Sequence, residues 1–280
     1  MPVKTTLREN ISIALQSISG NKLRTILTAL IISIGIMALI GMQTAIEGIK
    51  QKATDAYAGL GANSFTIQNM GLDLNFGPGG QSKRYPPVNY NQGVQFKKSF
   101  KLPASVAINL DVTGNGVIKY GNEKTNPNIT VKGTNESYLL TSGYKLAQGR
   151  NFSTSEVEHG DNVVIIGEDV RKTLFKNNEN ALNKPIFIGN DRFRVIGVLE
   201  SKGSGSQGGG DKSCIIPVFR AKQITSTPNP SFLIVVTVTN AAALNATIDE
   251  ATALFRNIRG LNVAQPDNFD IYRSDSIQER

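Results

Sequence analysis

The feature that most constrains this chain is an uninterrupted apolar segment near its N-terminus, residues 26–46, ILTALIISIGIMALIGMQTAI. About 21 residues carry no formal charge, and at helical rise they span roughly 31 Å, the thickness of the hydrocarbon core of a bilayer. More than two hundred mostly polar, glycine-rich residues follow. We therefore predict a transmembrane helix over residues 23–47 that anchors one large domain beyond the membrane.

A cleaved signal peptide is the alternative interpretation of this segment. Signal peptides have apolar cores of about 7–15 residues and a small-residue cleavage site, whereas this core is longer and exits into the sequence TAIE. We expect a retained anchor. The cationic residues Lys4, Arg8, Lys22 and Arg24 precede the core. The positive-inside rule therefore predicts a cytoplasmic N-terminus and a domain outside the cytoplasm.

Both flanks of the apolar core show helical periodicity. Residues 1–22 are predicted to form a basic amphipathic helix that lies on membrane lipids at the cytoplasmic interface, although an ordinary packed helix would show the same pattern. Beyond the core, apolar residues continue at helical spacing as far as a glycine stop at Gly59 and Gly61. Residues 48–61 are therefore predicted to form a helical stalk.

Small residues recur along one face of the predicted helix at Gly35, Ala38, Gly41, Ala45 and Gly48. Such a stripe lets two helices approach closely in lipid, where packing drives association, and so predicts a dimer face. Glycine and alanine are also common in membrane spans without forming an interface. The sequence leaves both interpretations open.

The remainder predicts an α+β domain of two lobes outside the membrane. Strands are expected at residues 64–68, 105–112, 117–120, 129–133, 232–239 and 268–273, with helices at 90–100 and 241–258. Two β-α-β units in this order indicate a split, ferredoxin-like (porter-type) lobe formed by residues 62–137 and 216–274. Residues 138–215 are expected to form an inserted, β-rich second lobe.

The predicted insertion has local signals of its own. A strand at residues 163–167 leads into a helix at 168–175, and residues 185–189 and 192–199 form a hairpin across Asn190 and Asp191. The glycine tract at 203–210 leads into Asp211-Lys212-Ser213 and then an apolar strand-like run, so an acid that would repel phosphate precedes the lysine–serine pair and the helix of a phosphate-binding loop does not follow. We interpret it as a flexible loop, and with the loop at 71–87 as a candidate partner contact.

No catalytic constellation emerges from the titratable residues. The lone histidine, His159, lies in a polar stretch where it and the pair Glu156 and Glu158 are interpreted as solvated surface residues. The lone cysteine, Cys214, lies in an apolar run and is interpreted as a core residue. The net charge of +8 is spread thinly and no aromatic-basic motif accompanies it, so nucleic-acid binding is not expected. We expect a chain that is not an enzyme and binds no cofactor or metal.

Several motifs, in order, resemble the MacB-like permeases of ABC transporters. They are Ala14-Leu15 with the sequence NKLRT at 21–25, LGAN at 60–63, Gly133 with Tyr138, LAQGRNF at 146–152, VIIG at 164–167, Leu174-Phe175, FRVIGVL at 193–199, the glycine tract, and Ile216-Pro217. Each motif alone is weak. The ordered set, at matching spacing through almost the whole chain, is specific.

The resemblance implies a bacterial inner-membrane permease subunit that works as a homo- or heterodimer. It implies an ABC ATPase partner that binds the ATP, and a periplasmic adaptor and outer-membrane exit duct as further partners. ATP-driven motion would reach the periplasmic domain through the stalk and serve efflux or envelope-substrate handling. Three further spans follow the periplasmic domain in this family, so residues 275–280 are expected to begin a helix toward a second span.

Two other functions remain open at this level. A single-span membrane-anchored sensor or adapter, without an ATPase partner, would show the same anchor and domain. A membrane-tethered enzyme is disfavoured because no nucleophile, acid–base pair or metal set emerges.

Overall fold

The computed structural model describes residues 21–59, 63–70, 85–176, 179–201 and 210–274, with no side chains described for residues 48–59. The chain divides into two compact units, Met1–Ala56 and Tyr57–Arg280. Helix α1 (Lys22–Gly59) makes up nearly all of the described part of the first unit and continues three residues past its boundary. It covers both the predicted span and most of the predicted stalk. The predicted interfacial helix lies almost wholly outside the described residues.

The second unit is a mixed α/β domain. Its elements, in chain order, are β1 (Ser64–Asn69), α2 (Tyr90–Ser99), β2 (Ala104–Gly116), β3 (Ile118–Tyr120), β4 (Glu123–Lys124), β5 (Ile129–Thr134), α3 (Tyr138–Thr141), β6 (Leu146–Gly149), α4 (Thr154–His159), β7 (Val163–Ile166), α5 (Glu168–Leu174), β8 (Pro185–Ile188), β9 (Asp191–Leu199), a 3-10 turn (Gly210–Lys212), β10 (Ser213–Pro217), α6 (Val218–Ile224), β11 (Leu233–Val238), a 3-10 turn (Ala241–Ala243), α7 (Leu244–Ile258) and β12 (Phe269–Arg273).

The strands form one hydrogen-bonded series in the order β12-β1-β11-β2-β5-β10-β7-β9-β8-β3-β4, and β6 pairs with β9 beside it. The first four strands are antiparallel and belong to the two predicted β-α-β units, whose helices α2 and α7 pack together. Strand β2 is long enough to take part in both halves of the series. Its residues 104–109 pair with β11, and its later residues pair with β5 across two register shifts.

Burial patterns follow each strand's place in the series. Along β11, Ile234, Val236 and Val238 are buried and alternate with half-exposed residues, as expected for a strand covered on one face. Every residue of β7 and β10 is buried, because central strands are covered on both faces. Phe255 of α7 joins helix and sheet, with ring contacts to Phe96 at 6.0 Å and to Phe269 at 4.8 Å between centroids.

Within the described residues, the predicted strands and helices are present, with one correction and several additions. The predicted helix start at residues 275–280 lies outside the described residues. Ile188 pairs with Asp191, so the hairpin turn is Gly189-Asn190 and not Asn190-Asp191. Gly189 has φ +61°, a conformation that glycine adopts without strain. The short elements β4, β6, α3, α4 and α6 lack a periodic signature long enough to predict.

Strand pairing crosses the predicted lobe boundaries. Strands β3 and β4, expected in the first lobe, join the series through β8 of the predicted insertion. Strand β10 lies between β5 and β7 and so links the two parts. The division into residues 62–137 and 216–274 against 138–215 stays a prediction.

Candidate functional site

Within helix α1, residues Lys22–Glu47 are long and apolar enough to cross a membrane. At 1.5 Å per residue they span about 39 Å. The large apolar side chains are exposed around the helix; Met37 is 72% exposed and Leu39 63%. Such a surface is stable against lipid and unfavourable in water, so this helix supports a membrane-anchored protein.

The five predicted dimer-face residues all lie on α1. At 100° per residue they fall within an arc of roughly 140°. Gly35, Ala38, Gly41 and Ala45 are exposed, and a Cβ at Gly35 or Gly41 would meet no atom within 4 Å. The surroundings of Gly48 are not described. The face exists as a surface of the helix, and its pairing with a second copy stays a prediction.

The start and the end of the described domain lie side by side. Strand β1 is hydrogen-bonded between β11 and β12, and Phe65 lies opposite Arg273. The hydroxyl oxygens of Ser64 and Ser274 are 2.7 Å apart. The Arg273 guanidinium donates to Asn245 Oδ1 of α7 at 3.0 Å. The point where the chain enters the sheet is therefore tied directly to the point where β12 ends.

A buried polar cluster occupies the place where β2 changes partners. Asn135, which follows β5, accepts from the backbone N–H of Ile108 at 3.3 Å and donates to the carbonyl of Val106 at 3.0 Å. Thr134 donates to Asn109 Oδ1 at 2.7 Å. Asn109, Thr134 and Asn135 are at most 5% exposed. The Asn135 amide thus binds β2 where strand β5 has ended.

Gly133 lies on strand β5 and allows helix α6 to pack directly on that strand. A Cβ at this position would overlap the Cβ of Ala221. The family motif that contains Gly133 therefore has a packing cause, since any side chain here would push α6 off the sheet.

A second cluster lies in the LAQGRNF segment. Arg150 donates two hydrogen bonds to the Glu156 carboxylate, at 2.8 and 2.6 Å. Glu156 also accepts from the Ser153 N–H at 2.9 Å in the capping box of α4. Chiefly through the hydrogen bond from Arg150, the pKa of Glu156 is lowered to about 2. This carboxylate is ionised at neutral pH and holds α4 to the β6 segment.

With this geometry established, the chain can be compared with known proteins. The sequence model of the MacB-like periplasmic core domain matches residues 25–254. The chain belongs to the MacB-like periplasmic core domain family. A macrolide export ATP-binding/permease protein MacB from Aggregatibacter actinomycetemcomitans is 26% identical over 278 residues, which cover 99% of this chain and 41% of that protein. A MacB from Chlorobium phaeobacteroides is 30% identical over 210 residues, 74% of this chain and 31% of that protein.

Solved structures show the same fold. The periplasmic region of MacB from Actinobacillus actinomycetemcomitans superposes with a TM-score of 0.59 at 23% identity, covering 80% of this chain and 94% of that one. The extracellular domain of the noncanonic ABC-type transporter YknZ from Gram-positive bacteria superposes with a TM-score of 0.55 at 20% identity, covering 75% of this chain and 100% of that one. This chain spans less than half the length of the curated MacB relatives described above.

Two of the MacB-like motifs meet at a close approach between strands. Gly149 has φ +82°, and a Cβ there would overlap the Ile196 carbonyl. A Cβ on Gly197 would lie 2.9 Å from the Arg150 carbonyl. Because β6 and β9 pair through Gly149 and Gly197, these glycines allow the two motifs to contact each other. The resemblance identified these segments without showing that they pair.

The structure corrects one interpretation of the titratable residues. Glu156 was expected on a solvated surface, but it is 8% exposed and ion-paired. Glu158 and His159 are exposed, as expected, but they belong to helix α4. Cys214 is fully buried, as predicted, and burial raises the pKa of its thiol.

The remaining candidate contacts are the two predicted loops. Most of the loop at 71–87 and of the glycine tract at 203–210 falls outside the described residues. Among the described residues, no group of three or more His, Cys, Asp or Glu is arranged to hold a metal ion.

Proposed function

We propose that this chain is the N-terminal part of a permease subunit of a MacB-like ABC transporter. In this role it relays the ATP-driven motion of a partner ATPase across the inner membrane to the domain that follows α1. The relayed motion serves efflux or the handling of envelope substrates. Family membership supports the transporter class, and the relatives' names pair the permease with an ATP-binding function.

The observation that carries the relay is the side-by-side start and end of the domain. Strand β1 begins shortly after α1 in sequence and is bonded on both sides, to β11 and β12. A displacement of β1 must therefore displace both neighbours or break their hydrogen bonds. The Ser64–Ser274 contact joins the start of β1, which follows α1, to the residue that follows β12. This arrangement suits a domain that is moved through the chain segments at its two ends.

We further propose a cytoplasmic N-terminus and a periplasmic domain in a bacterial inner membrane. The basic residues that precede the span support this orientation, and the match to the periplasmic region of MacB supports the location of the domain. The partners in this proposal are an ABC ATPase, a second permease copy, membrane lipids, and a periplasmic adaptor with an outer-membrane exit duct.

Distance measurements between two copies test the relay. The full-length gene product would be purified with its ATPase, and Lys101→Cys would carry a nitroxide label; Lys101 is exposed, whereas the buried thiol of Cys214 resists labelling. We expect the distance between the two labels, measured by pulsed electron paramagnetic resonance, to shift between the nucleotide-free and ATP-trapped states. An ATPase variant that cannot bind ATP is the control.

The alternative sensor or adapter makes a different prediction in the same experiment. It requires no ATPase in the purified complex and no nucleotide-dependent change in distance. A complex that hydrolyses ATP while the label distances stay constant would overturn the relay and retain the transporter family.

A further inference from the structure

A hollow of about 240 Å³ lies where three separate segments meet. Strand β4 and the turn after it contribute Lys124, Asn126 and Asn128, helix α5 contributes Asp169 and Lys172, and the 3-10 turn before β10 contributes Lys212. Three lysines therefore border one small hollow, although they are widely separated in sequence.

The positive charge of this hollow is poorly neutralised. Within the described parts of the chain, no carboxylate approaches Lys124 or Lys212 to within 4 Å. Lys172 is 3.7 Å from Glu168, but that carboxylate is already engaged in two hydrogen bonds from Arg171 at 2.8 Å. Asp169 is the one acid that borders the hollow, against three lysines. This excess of positive charge around one hollow favours the binding of an anion.

The backbone around the hollow is held in place by buried contacts. Thr125 is 5% exposed and accepts from the Ile118 N–H at 3.0 Å, which fixes the segment beside Lys124. Ser213 donates to the Gly210 carbonyl at 2.7 Å and so fixes the turn that contains Lys212. Lys124 and Lys212 thus lie on positioned backbone, and Lys172 lies on helix α5, which lowers the ordering cost of binding.

We propose that this hollow binds a dianionic phosphate group. Lysine ammonium groups bind phosphate as point charges through charge-assisted hydrogen bonds, and the side-chain amides of Asn126 and Asn128 offer further N–H donors. The site is open and Asp169 opposes the anion, so the affinity is modest. This proposal is independent of the transporter function proposed above.

The phosphate group can belong to a free solute or to a lipid headgroup. Three probes separate these sources: inorganic phosphate, glycerol 3-phosphate, and a phosphatidic acid with acyl chains short enough to remain in solution. Equal affinities mean that the site binds the phosphate group alone. Tighter binding of the phosphatidic acid assigns the site to a lipid headgroup. Either result supports the proposal.

Titration of the full chain in detergent micelles tests the site, with amide chemical shifts as the measurement and chloride added to keep ionic strength constant. We expect saturating shifts confined to residues 124–129, 169–173 and 210–213. The double variant Lys124→Gln with Lys212→Gln should weaken binding roughly tenfold, because two charge-assisted contacts are lost. The control, Lys101→Gln with Lys145→Gln, removes the same charge from exposed lysines outside the hollow and should change affinity less than twofold.

Asp169→Asn provides a gain of binding that misfolding cannot imitate. Removal of the repelling carboxylate should tighten binding of each probe two- to fivefold, roughly the effect of one partly screened charge. Absence of saturating shifts at these amides would overturn the proposal. Affinities unchanged in both the double lysine variant and Asp169→Asn would overturn it equally.

Discussion

The hydroxyl groups of Ser64 and Ser274 share a hydrogen bond of 2.7 Å, although 210 residues separate them in sequence. Almost the whole described domain is therefore enclosed between two residues in contact. The contact therefore joins the segment that enters β1 to the segment that leaves β12.

A disulfide at this contact should stabilise the domain. In the double variant Ser64→Cys with Ser274→Cys, the close approach of the two side chains should allow a bond to form under oxidation. Closing so long a loop should raise the free energy of unfolding by about 2–4 kcal/mol, measured by urea unfolding of the oxidised and reduced forms in detergent. Ser64→Cys alone should show no difference between the two forms. Cys214 remains a free thiol in either case, so free thiols found by mass spectrometry at positions 64 and 274 of the oxidised double variant would contradict the contact.

The predicted dimer face can be tested by crosslinking between copies. Cysteine at Gly35, Ala38 or Gly41 should form intermolecular disulfides in native membranes, because small residues let the helices approach closely. Ile36 and Ile40 lie on the opposite side of α1 and provide matched control positions, which should remain monomeric on non-reducing gels. Equal crosslinking on both sides of the helix would indicate random collisions and would contradict the predicted dimer face.

Loss of the Asn135 side-chain amide should destabilise the domain. Asn135→Leu leaves the Ile108 N–H and the Val106 carbonyl without this buried partner, and each unpaired group costs about 1–3 kcal/mol. We expect the free energy of unfolding to fall by about 2–4 kcal/mol, measured by urea unfolding. The exposed Asn257→Leu is the control, with an expected change below about 0.5 kcal/mol. Equal effects at both positions would contradict a special role for Asn135.

The pairing of Glu156 with Arg150 predicts an acid-dependent loss of stability. The folded-state pKa of Glu156 is about 2 and its ordinary value is 4.5, so the stabilisation is complete above pH 4.5 and declines as the pH falls toward 2. Glu156→Gln should therefore destabilise the domain by about 1.5–3 kcal/mol at pH 7, the value of a hydrogen bond to a charged group. The difference from the parent chain should shrink as the pH approaches 2.

Thermal unfolding between pH 2 and pH 7 measures this effect. Glu158→Gln, an exposed substitution on the same helix, should follow the parent chain throughout. If the difference in unfolding temperature between Glu156→Gln and the parent chain stays constant with pH, the loss of stability comes from side-chain shape and not from charge.

Local patterns predicted the elements of this fold because their signals lie in neighbouring residues. The uncharged run in α1 gives a helix by length and composition, and the alternation in β11 appears directly in the burial of Ile234, Val236 and Val238. The short strand β6 and helix α4 carried no such signal. The position of β6 depends on the pairing of Gly149 with Gly197 of β9. The position of α4 depends on the hydrogen bonds from Arg150 to Glu156, which form only once the chain has turned between them.

The sequence by itself determined an apolar helix of membrane length and a following α/β domain. Its ordered set of motifs also indicated the MacB-like family. Each of these depends on composition, periodicity or spacing along the chain. Only the tertiary structure decided that Ser64 meets Ser274, that Asn135 binds β2, and that the three lysines border one hollow. These contacts join segments brought together by strand order, which no local pattern specifies.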